Sequence, residues 1–390
     1  MKRLLVGIFV VMLVAPAMAY EPVVKKEVFE MPSYTTLGGR IIKNIRIGWE
    51  AYGTPNTAKD NVILICHYFS GNSHAAGKYS SEDKRAGYWD SIIGSGKPID
   101  TDKFYIISVD SLVNLGTGNP KVITTGPASV NPDTGKPYGM TFPIVTIRDF
   151  VNVQKALLDS LGVKKLHAVM GASMGALQTY EWASAYPEMV SRVVPVIGSG
   201  WANGNLIAWL NIWAAPIMLD PNWNGGDYYN GSPPLKGLAE ALKIVTLQAQ
   251  HWEWSNGVFG RTWAEEGKDP SASFENRFKI EAVLDSAGNA RAKTSDANHF
   301  LYLVKANQLF LTGHDGSIVE GLRRIDSPTL IIHTDEDLIF FPEEVRETAT
   351  LINSDGTPVE IVELQGTRGH LDGVLGIGQA GNKIKAFLEK

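Results

Sequence analysis

The chain has one cysteine in 390 residues, Cys66. A single thiol cannot close an internal disulfide, so the fold must rest on a buried core, and cysteine use says nothing about redox compartment. Cys66 ends an apolar run and lacks the electropositive setting that a thiolate needs, so it reads as a small buried hydrophobe. Charge is modest as well. Charged residues make up 20% and the formal net charge is -5, a mild acidity that argues against nucleic acid as a partner. Metal and nucleotide signatures are missing: His67 and His74 lack a ligand spacing such as HExxH, His314 and Asp315 form an isolated pair, and there is no Walker or dinucleotide fingerprint. Neither a metal nor a cofactor is therefore expected. Internal repeats and low-complexity tracts are absent. The 44% hydrophobic content is ordinary for a globular chain and excludes fibres, disorder and a multi-span membrane protein.

Residues 1–19 carry Lys2 and Arg3, an apolar run over 4–14, and Ala17-Met18-Ala19 as a small-x-small cleavage site. That pattern predicts a secretory signal and a mature chain starting at Tyr20. The apolar run is too short to cross a bilayer, which takes about 20 residues, so no membrane span is expected after cleavage. Loss of Lys2 and Arg3 takes the net charge from -5 to -7. The expected location is outside the cytoplasm, periplasmic or secreted.

The centre of the chain is the stretch 166–190, LHAVMGASMGALQTYEWASAYPEMV. A short apolar run reaches Gly171-Ala172-Ser173-Met174-Gly175 and continues into a helical pattern that stops at Pro187, which predicts strand, tight turn and helix. Such a Gly-x-Ser-x-Gly turn presents one serine in a strained conformation, and the flanking glycines let strand and helix approach closely. Upstream, residues 45–52, 61–66 and 104–109 read as strands, 88–93 as a short helix and 149–161 as an amphipathic helix. Downstream, 193–197, 329–333 and 359–364 read as strands. Strands alternating with helices imply a largely parallel sheet covered on both faces, with the first strands open to antiparallel pairing.

From 198 to about 316 the character changes to helical segments at 208–218, 235–252 and 297–310. Seven of the ten tryptophans fall here, namely Trp201, Trp209, Trp213, Trp223, Trp252, Trp254 and Trp263. Large apolar area with a polar handle suits a pocket roof. The organisation expected is a core from 20–200 and 315–390, with a helical cap inserted at 201–314.

Two late loops follow strand carboxyl ends, Thr334-Asp335-Glu336-Asp337 and Gln365 to His370. In an open parallel sheet the active site gathers outside those ends. A carboxylate and a histidine delivered there would meet Ser173, in the order Ser, acid, His of an α/β-hydrolase fold. His370 would take the serine proton and return it to the leaving group, while the carboxylate orients the imidazole. Asp337 and Asp335 compete for that role, with Glu336 a weaker third. The oxyanion hole needs two amides. Met174, after the nucleophile, supplies one, and the loop 66–71 supplies the other through Phe69.

Several stretches beyond the elbow extend this picture: CHYFSGNSHAAGKY (66–79), GYWDSIIGSGKPIDTDKFYIIS (87–108), TTGPASVNPDTGKPYG (124–139), LDPNWNGGDYY (219–229), DANHFLYLVKANQLF (296–310), FFPEEV (340–345) and RGH (368–370). Together they resemble the homoserine O-acetyltransferases of the α/β-hydrolase superfamily over nearly the whole mature chain. The resemblance implies that FFPEEV follows the acid, which selects Asp337 over Asp335. It also implies His370 as the base and Phe69 and Met174 as the oxyanion donors. Family members acylate the serine from acetyl-CoA and pass the acetyl group to homoserine.

Two positions depart from that pattern. The family's aspartate after the histidine, which receives the substrate amine, is Leu371 here, with Asp372 one place later. Its carboxylate-binding arginine falls on Ala214. A zwitterion buried without these partners would cost several kcal/mol, so homoserine is not the expected substrate. An exported enzyme would also meet little acetyl-CoA. The sequence therefore predicts an exported serine esterase acting through an acyl-enzyme on a small-molecule ester or acyl substrate. An O-acetyltransferase using acetyl-CoA and an alcohol acceptor is the second reading, and a non-catalytic binding protein on a hydrolase scaffold the third. Pairing as a homodimer is compatible with either enzyme.

Overall fold

Four strands of the main sheet that are buried at every residue set the architecture, because a strand buried on both faces needs helices on both sides of its sheet. They are β3 (Val62–Cys66), β5 (Ala168–Ala172), β6 (Val193–Val196) and β7 (Thr329–His333). With β1 (Glu27–Thr35), β2 (Ile41–Tyr52), β4 (Tyr105–Val109) and β8 (Val359–Glu363) they form an eight-stranded sheet ordered β1-β2-β4-β3-β5-β6-β7-β8. The computed structural model describes residues 23–390, so the signal read into 1–19 lies outside the described residues. β1 pairs antiparallel with β2, and β2 with β4 through Trp49↔Val109. Every other pairing is parallel.

Side chains alternate across this sheet, as strand geometry requires. Leu64 and Cys66 face one apolar cluster with Phe150, Leu177 and Trp182. Ile63 and Ile65 face a second with Trp89, Ile384 and Phe387. The helices are α1 (Ile147–Ser160), α2 (Met174–Ala185), α3 (Gly204–Leu219), α4 (Leu235–Gln248), α5 (Trp252–Val258), α6 (Lys279–Ala292), α7 (Ala297–Gln308), α8 (Ile318–Arg323), α9 (Pro342–Asn353), α10 (Asp372–Leu375) and α11 (Gly381–Leu388). A capping box of Thr146 and Asp149 starts α1 two residues before the predicted position. The same Asp149 accepts from Tyr34 Oη at 2.8 Å and the Leu37 amide at 2.7 Å, tying the β1–β2 hairpin to the helix.

Between β6 and β7 the chain forms helices, short 3-10 turns and two isolated bridges. One bridge, Trp201↔Leu311, closes the neck of this segment, flanked by Ala202 N donating to Phe310 O at 2.9 Å and Thr312 N to Gly200 O at 3.0 Å. Two local expectations fail. Residues 88–93 make a turn, not a helix: Ile92 and Ile93 both donate to Trp89 O, and Ile93 then pairs with Ile99 across Gly94 and Gly96, whose φ values are positive. The helix expected over 235–252 is two, because His251 is extended (φ -78°, ψ 153°). At that break Ala249 O accepts from Leu371 N at 3.3 Å. Among the described residues no helix is long and apolar enough to cross a membrane.

Candidate active site

Ser173 sits between the end of β5 and the first residue of α2, with φ 56° and ψ -120°. A non-glycine residue with φ in this range is strained, and the surrounding packing must hold it there. The flanking glycines explain how the backbone gets that close. A Cβ on Gly171 would stand 2.4 Å from Gly175 O, and one on Gly175 would stand 2.1 Å from Cys66 O. The Ser173 amide donates to Val196 O at 2.9 Å, fixing the turn to β6. Neighbouring Cys66 is fully buried, and burial pushes its thiol above the ordinary value, so it stays a protonated hydrophobe.

The three residues expected as a triad come together at the carboxyl edge of the sheet. His370 Nε2 lies 2.8 Å from Ser173 Oγ, and His370 Nδ1 lies 2.8 Å from Asp337 Oδ2. The carboxylate is held from its other side, since Asp337 Oδ1 accepts from the Ile339 and Phe340 amides at 2.8 and 3.1 Å. Asp337 is 2% exposed and His370 5% exposed. With Asp337 accepting at Nδ1, the imidazole carries its proton there and offers Nε2 as the acceptor for the serine. The rival carboxylates lie elsewhere. Asp335 pairs with Arg346 at 2.7 Å, and Glu336 accepts from Thr334 Oγ1 at 3.0 Å.

The loop after β3 is braced for a fixed backbone. Buried His67 accepts the Ser111 amide at Nε2 (3.0 Å) and directs Nδ1 to Tyr68 O (2.8 Å), while Asn114 Nδ2 donates to Gly71 O at 3.1 Å. Burial lowers the His67 pKa, which keeps this tautomer neutral. Among the described residues neither the Phe69 nor the Met174 amide has a protein acceptor, as an oxyanion hole requires. The Phe69 ring packs edge-on against Trp213 at 5.5 Å and Phe300 at 5.2 Å. Of the seven tryptophans in the helical segment, Trp213 is the buried one; Trp252 and Trp263 are exposed.

The two departures are apolar in place. Ala214 is buried, and Leu371 is half-buried against the main apolar cluster. Asp372 does not stand in for the missing aspartate: it is buried under Gly366 and accepts the Arg368 amide at 2.9 Å, and burial raises its pKa. Sequence reasoning missed a set of polar atoms at the α4–α5 break. Gln248 Nε2, Gln250 Oε1 and His251 Nδ1 are buried without a hydrogen-bond partner, the last lying 3.8 Å from Glu253 Oε2. No sequence signal marks them, because the break exists only against the His370 loop. Among the described residues no cluster of three metal-ligating side chains occurs.

Known proteins fit this geometry. The alpha/beta hydrolase fold family matches residues 61–364. A homoserine O-acetyltransferase of Methanococcoides burtonii is 38% identical over 90% of this chain and 70% of its own length. The one from Deferribacter desulfuricans is 38% identical over 90% of this chain and 92% of its own. Among solved structures, esterase E22 superposes with a TM-score of 0.90 at 50% identity, covering 94% of this chain and 100% of its own. The homoserine O-acetyltransferase of Bacillus anthracis gives a TM-score of 0.91 at 35% identity, covering 95% and 98%. These relatives make the chain an enzyme of acyltransferase or hydrolase chemistry. They also correct the expected location outside the cytoplasm: the relatives matched over most of the chain are homoserine O-acetyltransferases.

Proposed function

This chain belongs to the homoserine O-acetyltransferase family of alpha/beta hydrolases, and from that premise we propose that it hydrolyses small neutral esters through an acyl-enzyme on Ser173. The observation that supports this most is the line from Asp337 through His370 to Ser173, with both links at 2.8 Å. His370 Nε2 accepts the serine proton as Oγ attacks the ester carbonyl. The Phe69 and Met174 amides take up the oxyanion charge, and His370 returns its proton to the departing alcohol. Water then enters by the same route and releases the acid. Residues 201–314 serve as the cap over this site, and 20–200 with 315–390 as its core.

Hydrolysis is favoured by the missing handles for an amino-acid acceptor. Leu371 and Ala214 offer no charge to a zwitterion, and Asp372 is committed to its own loop. The argument from scarce acetyl-CoA falls with the export reading, so these residues and the likeness to esterase E22 support the choice. Acetyl transfer from acetyl-CoA to an alcohol is the second reading, favoured by the names of the relatives.

One experiment separates them. The purified protein should turn over p-nitrophenyl acetate, with Ser173→Ala lowering the rate by about 10⁴-fold or more. Activity persisting in that variant would sink the acyl-enzyme. Rapid acetyl transfer to homoserine, with negligible ester hydrolysis, would replace the first reading by the second.

A further inference from the structure

A cavity of about 140 Å³ lies where the helical segment meets the core, between the end of α6 and the loops 70–72 and 114–122. Its walls are tied together through the main chain. Asp296 N donates to Leu115 O at 3.1 Å and Gly118 N to Thr294 O at 3.0 Å, which fastens the loop 115–118 to the residues that follow α6. Asn114 secures the third wall, since its Nδ2 donates to Gly71 O at 3.1 Å. Ser70, Asn72, Asn119 and Ser295 contribute neutral polar side chains, Arg291 is the one charged residue of the lining, and the lining holds no carboxylate.

Arg291 is half-buried, and its guanidinium is bonded at one nitrogen only. Nη1 donates to Thr246 Oγ1 at 2.7 Å and to Leu242 O at 3.3 Å, both on α4. Nε and Nη2 have no acceptor among the described residues, and neither is sealed from solvent. These two nitrogens form the edge of the guanidinium whose parallel N–H groups match a pair of oxygens on one carboxylate or phosphate. Other arginines have that need met within the protein: Arg148, Arg277, Arg324 and Arg346 each sit on a carboxylate. Burial pulls the Arg291 pKa down, and the Tyr68 phenol that acts in the opposite sense is itself kept protonated by burial. A cation is thus partly desolvated with no anion to balance it. We infer that this cavity binds a small oxyanion, a carboxylate or a phosphate group, on the free edge of Arg291. Bound there, the anion bridges the end of α6 to the loop that begins one residue after Phe69, and so fastens the helical segment to the core. The site stands apart from the acyl-enzyme reading and asks nothing of Ser173.

The probes are inorganic phosphate and acetate, titrated by calorimetry into the full chain at low ionic strength, with chloride at matched ionic strength as the control. At least one should bind saturably at a single site and, near saturation, raise the melting temperature by about 2–4 °C over the chloride control. Arg291→Gln should weaken that binding about tenfold or more, the yield of a charge-assisted pair. Arg291→Lys keeps the charge without the fork and should fall between the two. Both variants also give up the Thr246 contact, so Asn119→Asp supplies one that leaves Arg291 in place. Its Oδ1 can still accept the Lys121 amide, while the new carboxylate competes for the guanidinium, and affinity should drop about as far as in Arg291→Gln. Tighter acetate identifies the ligand group as a carboxylate, tighter phosphate as a phosphate. Affinity unchanged in Arg291→Gln, or no saturable binding of either anion to the parent, overturns the site. Turnover of p-nitrophenyl acetate reports separately on the hydrolase reading, so the two ideas can fail independently.

Discussion

The elbow and the helical segment 201–314 meet where Phe69 packs on Trp213, and they are built under different constraints. At the elbow the constraint lies in the backbone: a Cβ on Gly175 would meet Cys66 O at 2.1 Å, and Ser173 is held at φ 56°. In the helical segment the constraint is uneven: a Cβ on Gly204 or Gly257 would meet nothing within 4 Å, whereas one on Gly237, where α3 and α4 touch, would stand 2.3 Å from Pro216 O. Next to the elbow the contacts are made by side chains, such as Trp213 against Phe69 and Gln248 accepting from Trp213. A nucleophile fixed by main-chain sterics tolerates almost no change, whereas a lining made of side chains can be rewritten without moving the reaction. One family can thus hold acetyltransferases and esterases on one chemistry.

The sharpest way to break that contrast is Gly175→Ala. With 2.1 Å to a main-chain oxygen, no rotamer can relieve the clash, so β5, α2 or the loop after β3 must shift. A displacement of the order of an ångström at the nucleophile should lower kcat/KM on p-nitrophenyl acetate by about 100-fold or more. The melting temperature should fall as well. Near-normal kcat/KM would show that the elbow is not sterically fixed.

The joint between the regions yields a pH test. His314 follows the Trp201↔Leu311 bridge and packs against Phe310, with ring centroids 6.1 Å apart. Burial, aided by nearby Arg148, pushes its pKa down to about 4. The folded protein therefore binds this proton more weakly than the unfolded chain, whose histidines titrate near 6.5. Its contribution to stability is present above about pH 6.5 and is lost as pH falls toward 4. Allowing for its partial exposure, the loss should be roughly 2 kcal/mol. His314→Asn, which tolerates the positive φ of 50° at this site, should flatten the profile over that range. Identical profiles for the two proteins would mean that the joint is not acid-sensitive through His314.

What the sequence made legible follows the same division. The elbow, β3, β6 and β7 could be read because each combines a local pattern with a steric or burial rule: unbroken apolar runs, paired glycines, a stop at Pro187. Ser173, Asp337 and His370 could be named because strand ends converge in a parallel sheet, although the choice of Asp337 over Asp335 needed the family resemblance. β1 escaped notice because EVFEMPSYT is mostly exposed and interrupted by Pro32. α6 went unread because its buried positions, Leu284, Gly288 and Ala292, are small or sparse. The break at 249–251 was invisible for a different reason. Its partner is a loop some 120 residues away, and no local window contains that contact.

The smallest expected effect tests the permissive side. Gly257 lies one residue from the end of α5, exposed, with no positive φ and open space where a Cβ would go. Glycine in a helix loses more backbone freedom on folding than alanine does. Gly257→Ala should therefore stabilise the protein by about 0.5–1 kcal/mol, read as a small rise in melting temperature. Its kcat/KM on p-nitrophenyl acetate should stay within twofold of the parent. The same substitution, glycine to alanine, would then be ruinous at 175 and mildly helpful at 257, and the sign is decided by whether main chain occupies the space. A large loss at Gly257 would show that the helical segment is as tightly specified as the elbow, and the division between a fixed reaction and an adjustable lining would fail.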